Sequence, residues 1–487
     1  MTDRLLILLA ALLLGGPLNG AQPAIELKDR RELFVNRYLI DSMKQTTLVL
    51  HEPRDEGEVM KFDAPWEGLH SGYCTMIRDG KLLRAYYRGM SVTARDGSAD
   101  EVTCVAESSD GIRWTKPKLG LFTVQGSKDN NVVLAGMPPY SHNLSPFLDT
   151  RPDCPPDERY KALGGLSTSG LVGFISADGL RWKKLRDEPV IPPKAPFKFT
   201  HLFDSQNVAF WSESEKKYLC YFRVWDGIRR IARVESADFR TWSQPVLMTY
   251  EKDGKAAPNE HLYTNQTAPY FRAPQIYVSL AARFMPGRQA ITEEEAEALR
   301  VAKGYHQDVS DAVLMTTRTG TVFDRTFLSS FIRPGIGAKN WVSRTNYPAL
   351  GIVQTGPHEM SLYMNQDYAQ PTAHLHRYSL RLDGFASVRA PYEGGEMLTR
   401  LLTFEGNALR LNFSTSAAGG IRVEIQDAAG KPIPGFTLAD AVETIGNAVD
   451  RPVRWKSGAD LSKLAGTPVR LRFVMQDADL FALRFGR

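Results

Sequence analysis

Cysteine is scarce in this chain: Cys74, Cys104, Cys154 and Cys220 are the only four in 487 residues, too few for a fold stapled by disulfides. No cluster of Cys and His has metal-ligand spacing, so the sequence points to no metal site and no cofactor. Charge is nearly balanced, with 60 Lys and Arg against 55 Asp and Glu and a net of +5. The excess forms no basic block, which argues against nucleic acid as a partner and leaves a mild bias toward an anionic substrate. Beyond residue 14 no apolar run reaches membrane-spanning length, so no membrane span is expected. The one long apolar run, residues 5–14, follows Arg4 and precedes a Gly-rich stretch ending at Ala21. That is the layout of a secretory signal peptide over residues 1–21, with no cysteine for a lipid anchor, and it implies a secreted or periplasmic protein. Nothing in the sequence fixes an oligomeric state.

What the chain has in abundance is short β-branched and aromatic runs parted by polar turns, the pattern of antiparallel strands. Residues 201–242 read HLFDSQNVAFW, a SESEKK turn, YLCYFRV, a WDG turn and IRRIARVES, three strands of a meander with a fourth available at 245–250. The stretch closes on Ser236-Ala-Asp238-Phe-Arg-Thr-Trp242, and the same Ser-x-Asp-x-x-x-Trp motif stands at 108–114 and 176–182. Weaker echoes at 317–323 and 382–385 follow. Recurrence after each strand triplet is radial repetition, and the expected fold is all-β, a five-bladed β-propeller. The motif is architecture rather than chemistry: its Asp and Gly make a turn and its aromatic ring packs between blades. Runs within 26–53 are candidates for a strand lent to the last blade. An insertion at 286–310 interrupts the fourth blade, and its short helix opens at a Thr292 cap. From residue 391 the strand pattern changes to that of a β-sandwich. The expected division is therefore a signal peptide at 1–21, a propeller at 22–390 and a C-terminal sandwich at 391–487. Cys74 and Cys104 fall on the first and third strands of one blade, roughly 10 Å apart and beyond disulfide reach, so free thiols are expected.

Residues just before the first strand of each blade, and just after the second, converge on one mouth of the central channel. Before first strands this selects Glu67 and His70, His142 and Asn143, Asp204 and Gln206, Asn265 and Gln266, and Arg344 with Asn346. After second strands it selects Arg88, Arg223 with Asp226, and Arg283. It rejects Asp149 and Asp79, which follow first strands and face the other way. Carboxylates on two sides of a channel suit glycoside hydrolysis, where one donates a proton and the other attacks or activates water. Trp66 and Trp341 are candidates for stacking under a sugar ring, with core packing as the equal alternative. The arginines suit bidentate binding of carboxylate or sulfate, unless each pairs with a neighbouring acid such as Asp226 and braces a loop.

Blade number, the Ser-x-Asp-x-x-x-Trp repeats and the C-terminal β-unit together resemble the five-bladed propeller glycosidase superfamily of arabinanases, β-xylosidases and invertases. In that superfamily, acids before the first strands of blades one, two and three serve as nucleophile or base, as transition-state stabiliser and orienter, and as general acid. The resemblance implies Glu67 and Asp204 as catalytic residues, with Asp63 beside Glu67 as an alternative. Blade two departs from the pattern, offering only His142-Asn143, and Asp226 and Glu260 are the substitutes. The leading expectation is an exported glycoside hydrolase-like protein acting on an oligo- or polysaccharide, with an anionic sugar as one option. A non-catalytic propeller that binds glycan or a cell-surface partner competes with it. A sialidase-like enzyme is third: those propellers use Asp-containing repeats and an arginine cluster, but normally have six blades.

Overall fold

A computed structural model describes residues 23–92, 95–193 and 199–486; the expected signal peptide lies outside the described residues. The chain is nearly all-β, with Glu293–Ala298 the single α-helix among the described residues. Four meanders form propeller blades. The first runs Gly72–Asp79, Leu82–Met90, Glu101–Ser108, Val132–Leu134; the second Ser145–Leu148, Tyr160–Leu166, Gly170–Ser176, Lys183–Lys184. The third is Val208–Ser212, Lys217–Asp226, Ile228–Ser236, Val246–Leu247. The fourth, Thr267–Tyr270, Ala273–Met285, Val309–Thr317, Val322–Asp324, is enlarged by His261–Thr264 and by Thr249–Lys252 with Lys255–Ala256. First strands of successive blades pack against one another. Each blade is covered on both faces by its neighbours, so strands such as Leu82–Met90 and Tyr160–Leu166 are buried almost throughout and lose the in–out alternation of a one-sided sheet.

The repeated motif works as read. Asp110, Asp178 and Asp238 each accept two backbone N–H bonds through Oδ1, from the residues two and three positions on. The preceding serine hydroxyls accept from Gly111, Gly179 and Phe239 N at 2.8, 2.9 and 2.9 Å. The residue so held is left-handed, at φ 76°, 74° and, for the non-glycine Phe239, 64°. Its carbonyl ties neighbouring sheets together: Tyr86 Oη donates to Gly179 O at 3.0 Å and Tyr363 Oη to Gly111 O at 2.6 Å.

A further five-stranded sheet contains Tyr347–Pro348, Val353–Gln354, Glu359–Gln366 and His374–Arg381, with Arg54–Lys61 at its edge. The N-terminal strand that joins this sheet is Arg54–Lys61, paired with His374–Arg381, and not a run within 26–53. Those earlier runs give Glu32–Leu33, Ile40–Lys44 and Thr47–Leu50, which join an eight-stranded sheet with the long C-terminal strands Ala408–Gln426 and Arg470–Gly486. Burial decides the difference: Phe34, Leu39 and Ile40 share one apolar cluster with Phe413, Leu471 and Phe473, and strand propensity alone cannot show which sheet a strand will join. The insertion helix carries the expected cap, Thr292 Oγ1 accepting from Glu295 N at 3.1 Å while Glu295 Oε2 accepts from Thr292 N at 2.8 Å. It is anchored to the rim by Ile291 and Ala296 packed on Val342 and by the bond from Ala302 N to Ala369 O. All four cysteines are free. No helix of the described residues is long and apolar enough to cross a membrane.

Candidate functional site

Backbone strain gathers at one rim of the ring. Tyr73, Asn143, Phe203 and Gln266, at the heads of the first strands of the four blades, have φ of 52°, 47°, 65° and 45°, and Arg344 and Asn346, ahead of Tyr347–Pro348, have φ of 60° and 61°. A non-glycine residue held left-handed costs on the order of 1–3 kcal/mol, and such residues cluster where side chains must be aimed. At Tyr73 the cause is visible: the register between the first two strands slips between Gly72 and Thr75, a bulge that re-aims the side chain.

Beneath this rim the channel is plugged by amides. Gln206 Nε2 donates to Thr75 Oγ1 at 2.6 Å, and Gln266 Nε2 donates to Gln206 Oε1 at 2.7 Å and Pro348 O at 2.8 Å. On the far side lies a cavity of about 640 Å³ lined by apolar side chains including Met76, Phe147, Phe210 and Leu350. The charged groups lie on the near side, so chemistry rather than volume marks the site.

Four guanidinium groups surround the mouth with tyrosines among them. Arg223, Arg229 and Arg344 lie 4.3, 5.1 and 5.7 Å from the Tyr263 ring centre, Arg344 also 5.1 Å from Tyr305, and Arg88 4.6 Å from Tyr73. Arg88 is satisfied by His70 O, Tyr368 Oη, Asn143 Oδ1 and Asp96, and Arg223 pairs with Asp204. Arg344 donates to Tyr305 Oη at 3.1 Å; Arg229 contacts His261 Nδ1 at 3.3 Å. Neither has a carboxylate within 4.0 Å among the described residues, although Asp96 feels the Arg344 charge. Burial by itself would lower the Arg344 pKa, but the oxygens of Tyr263, Tyr73, Tyr305 and Tyr368 outweigh it and raise it. Burial would raise the half-exposed Asp96 carboxyl, yet Arg88, His142, Arg344 and Arg223 hold it below the usual range. Behind Arg88 stands a buried dyad, Glu101 Oε2 with His142 Nδ1 at 3.0 Å. Burial pushes the Glu101 carboxyl up, while His142 and Arg88 win and bring it down.

The other acids singled out from the sequence are engaged elsewhere. Glu67 is fully buried, accepting from Lys116 Nζ at 2.7 Å, Tyr87 Oη at 2.6 Å and Ala64 N at 2.8 Å. Asp63 meets the same Lys116. Glu260 bridges Arg283 at 3.0 Å and Arg325 at 2.8 Å, and Asp311 also binds Arg283, at 2.5 Å. Asp226 pairs with Arg230 at 3.0 Å. The rejected Asp149 is held by the buried Lys161 at 2.7 Å and by Tyr218 at 2.6 Å. Trp66 donates to Asn131 Oδ1 at 2.8 Å and Trp341 to Gly335 O at 3.0 Å. Asn346 Nδ2 donates to Ser310 O at 3.1 Å. Sequence reasoning passed over Tyr73, Tyr263, Tyr305, Tyr368, Arg229, Asp96, Glu101 and Trp225. The last is 36% exposed beside Arg229.

No protein-family model and no curated protein matches the chain. Among solved structures it is similar to a glycoside hydrolase, at 10% identity over 68% of this chain and 92% of that one, TM-score 0.45. It is also similar to an N-acetylgalactosamine deacetylase from F. plautii in complex with blood group B trisaccharide, at 12% identity over 68% and 95%, TM-score 0.45. A glycosyl hydrolase from Bacteroides ovatus gives 14% identity over 72% and 92%, TM-score 0.39. At these values the likenesses carry no argument about activity.

Proposed function

We propose that the chain is an exported, glycan-acting propeller protein that takes an acidic sugar, a uronate or a sulfated residue, at the channel mouth. One observation carries the reading: Arg344 and Arg229 converge on Tyr263 with no carboxylate within 4.0 Å among the described residues. Like charges gathered in a partly desolvated place call for a counter-charge, and a ligand carboxylate or sulfate supplies it with paired N–H donors. Each such charge-assisted contact contributes roughly 1.5–3 kcal/mol. Trp225 adds an exposed aromatic face for the C–H side of a sugar ring. In this reading Asp204 and His70 belong to the mouth, whereas Glu67 and Glu260 brace their blades.

The five-stranded sheet ending in Arg54–Lys61 completes the ring as a fifth blade. Supporting this, Met76 N donates to Leu350 O at 2.7 Å and Leu350 N to Cys74 O at 2.8 Å, and the Tyr363–Gly111 bond repeats the blade contact of Tyr86 with Gly179. The C-terminal strands from near residue 390, joined by the N-terminal strands Glu32–Leu33, Ile40–Lys44 and Thr47–Leu50, form a sandwich. A second reading, a binding module without hydrolytic activity, is favoured by the ion pairs that occupy Glu67 and Glu260. A glycan array at low and high ionic strength, with parent and Arg344→Ala side by side, tests the proposal. Binding confined to acidic glycans, weakened by salt and by the substitution, supports it; salt-insensitive preference for neutral sugars refutes it.

A further inference from the structure

The far end of the channel is built unlike the charged mouth. First strands run from the rim to the opposite face, so Arg78, Leu148 and Phe271 stand at or just past their far ends, as Gln354 does in the five-stranded sheet. Between these residues and the amide plug lies the cavity of about 640 Å³, within the roughly 300–1,000 Å³ of small-molecule pockets. The plug is its floor, since the buried Thr75 and Gln266 line it. Its wall is apolar on every side: Met76, Phe147, Phe210, Leu280 and Val353 come from five different sheets. Arg78 is the only charged side chain among the described residues that line it. It is exposed, donates to Gln354 O across the opening, and has no carboxylate within 4.0 Å among the described residues. A shaft closed at one end and so lined holds water poorly, because each water needs several polar partners that this wall does not offer.

We propose that this cavity is a second binding site, separate from the charged mouth, for a small amphipathic anion: an unbranched acyl chain lies in the shaft and its carboxylate meets Arg78 at the opening. The inference does not depend on the acidic-sugar reading, because the amide plug stands between the two places. Replacing poorly bonded water by methylenes gains free energy with each carbon buried. The direction of the ligand follows from the cost of charge. A carboxylate carried inward would lose its hydration with no charged partner at the plug. At Arg78 it stays wet and gains a guanidinium with paired donors. Phe271, 42% exposed, extends the apolar wall past the strand end to the first carbons of the chain. A sugar would bring hydroxyls to a wall that bonds none of them, and a cationic amphiphile would meet Arg78 with its own sign. The lining therefore selects a fatty-acid-like monocarboxylate.

Titration calorimetry of the full-length protein with octanoate, decanoate and dodecanoate, each below the concentration at which it forms micelles, tests the assignment. Expected is one molecule bound per chain, tighter by about tenfold for every two carbons added. Decanol should bind the parent several-fold more weakly than decanoate, and Arg78→Ala should remove that difference while leaving decanol unaffected. Ala268, half-buried on Thr267–Tyr270, lines the shaft, so Ala268→Phe should fill part of it and weaken every chain by about tenfold or more. Arg78 is exposed, so its variant reports even if Ala268→Phe fails to fold. Many molecules bound per chain, or an affinity that ignores chain length, would overturn the site. Equal binding of decanol and decanoate by the parent would overturn the role of Arg78. Binding to phosphatidylglycerol vesicles without binding of free dodecanoate would overturn the assignment to a free ligand.

Discussion

Arg283 and Arg344 are both expected at the channel mouth, yet their surroundings are opposite. Arg283 meets Asp311 through two nitrogens and Glu260 through a third, and Glu260 is shared with the almost fully buried Arg325. Arg344 meets tyrosine oxygens and rings. A guanidinium saturated by carboxylates is part of the frame, because removing it strands charges of the opposite sign. One held by phenols keeps its full charge and spare donors for something that arrives later. The type of residue and the rim expected for it are the same, although Arg283 lies near the end of a second strand and Arg344 ahead of Tyr347–Pro348; the acids within reach make the difference.

The largest effect expected from this contrast is on stability. Arg283→Ala leaves Asp311 without its arginine and Glu260 with Arg325 alone and should cost about 3 kcal/mol, read as a lower midpoint in urea, with affinity for acidic glycan unchanged. A loss of glycan affinity at unaltered stability would erase the distinction. The next effect is in the dependence on pH. Because His70 titrates at about 4 in the folded chain, below its unfolded value, the unfolded state binds the extra proton between pH 6.5 and 4. Its contribution is therefore fully present above pH 6.5 and is lost as pH falls toward 4, amounting to roughly 2 kcal/mol by pH 4.5. Urea unfolding of parent and His70→Phe at pH 7 and 4.5 should show the variant losing less than the parent over that interval, with Arg88, Arg344, Asp96, Tyr305 and Tyr368 unchanged around the ring. Glu67→Gln, which weakens a buried ion pair with Lys116, should cost about 1–2 kcal/mol and leave glycan binding alone; lost turnover at intact stability would return Glu67 to a catalytic role. The smallest effect is expected from Arg229→Ala at the edge of the cluster, a several-fold loss of affinity, about 1 kcal/mol, that shrinks as salt rises.

The rim was legible in the sequence, the contrast between its arginines was not, and the omissions have definite causes. Repeat spacing and strand ends select Arg88, Arg223, Arg344 and His70, since a propeller brings those ends to one rim. The same reasoning stopped at the ends of second strands, although third strands begin at that rim too. That is why Glu101, at the start of Glu101–Ser108, and Arg229, at the start of Ile228–Ser236, escaped it. Tyr73 points where it does because of a bulge, and a one-residue slip cannot be read from alternation. Tyr305 lies in an insertion without strand periodicity, and Tyr263 in an extra strand, His261–Thr264, added to the fourth blade. Nor can a sequence say that Glu67 faces Lys116 forty-nine residues away, which is what separates a bracing acid from a reacting one.

The account turns on Arg344 receiving a sugar carboxylate. Titration calorimetry of one glucuronate-containing polymer, native and after reduction of its carboxyl groups to alcohols, against parent and Arg344→Ala measures that contact directly. The native polymer should bind the parent roughly tenfold or more tightly than either the reduced polymer binds the parent or the native polymer binds the variant, as one charge-assisted contact requires. Combining both changes should add little further loss. Equal affinity of the parent for native and reduced polymers would contradict it.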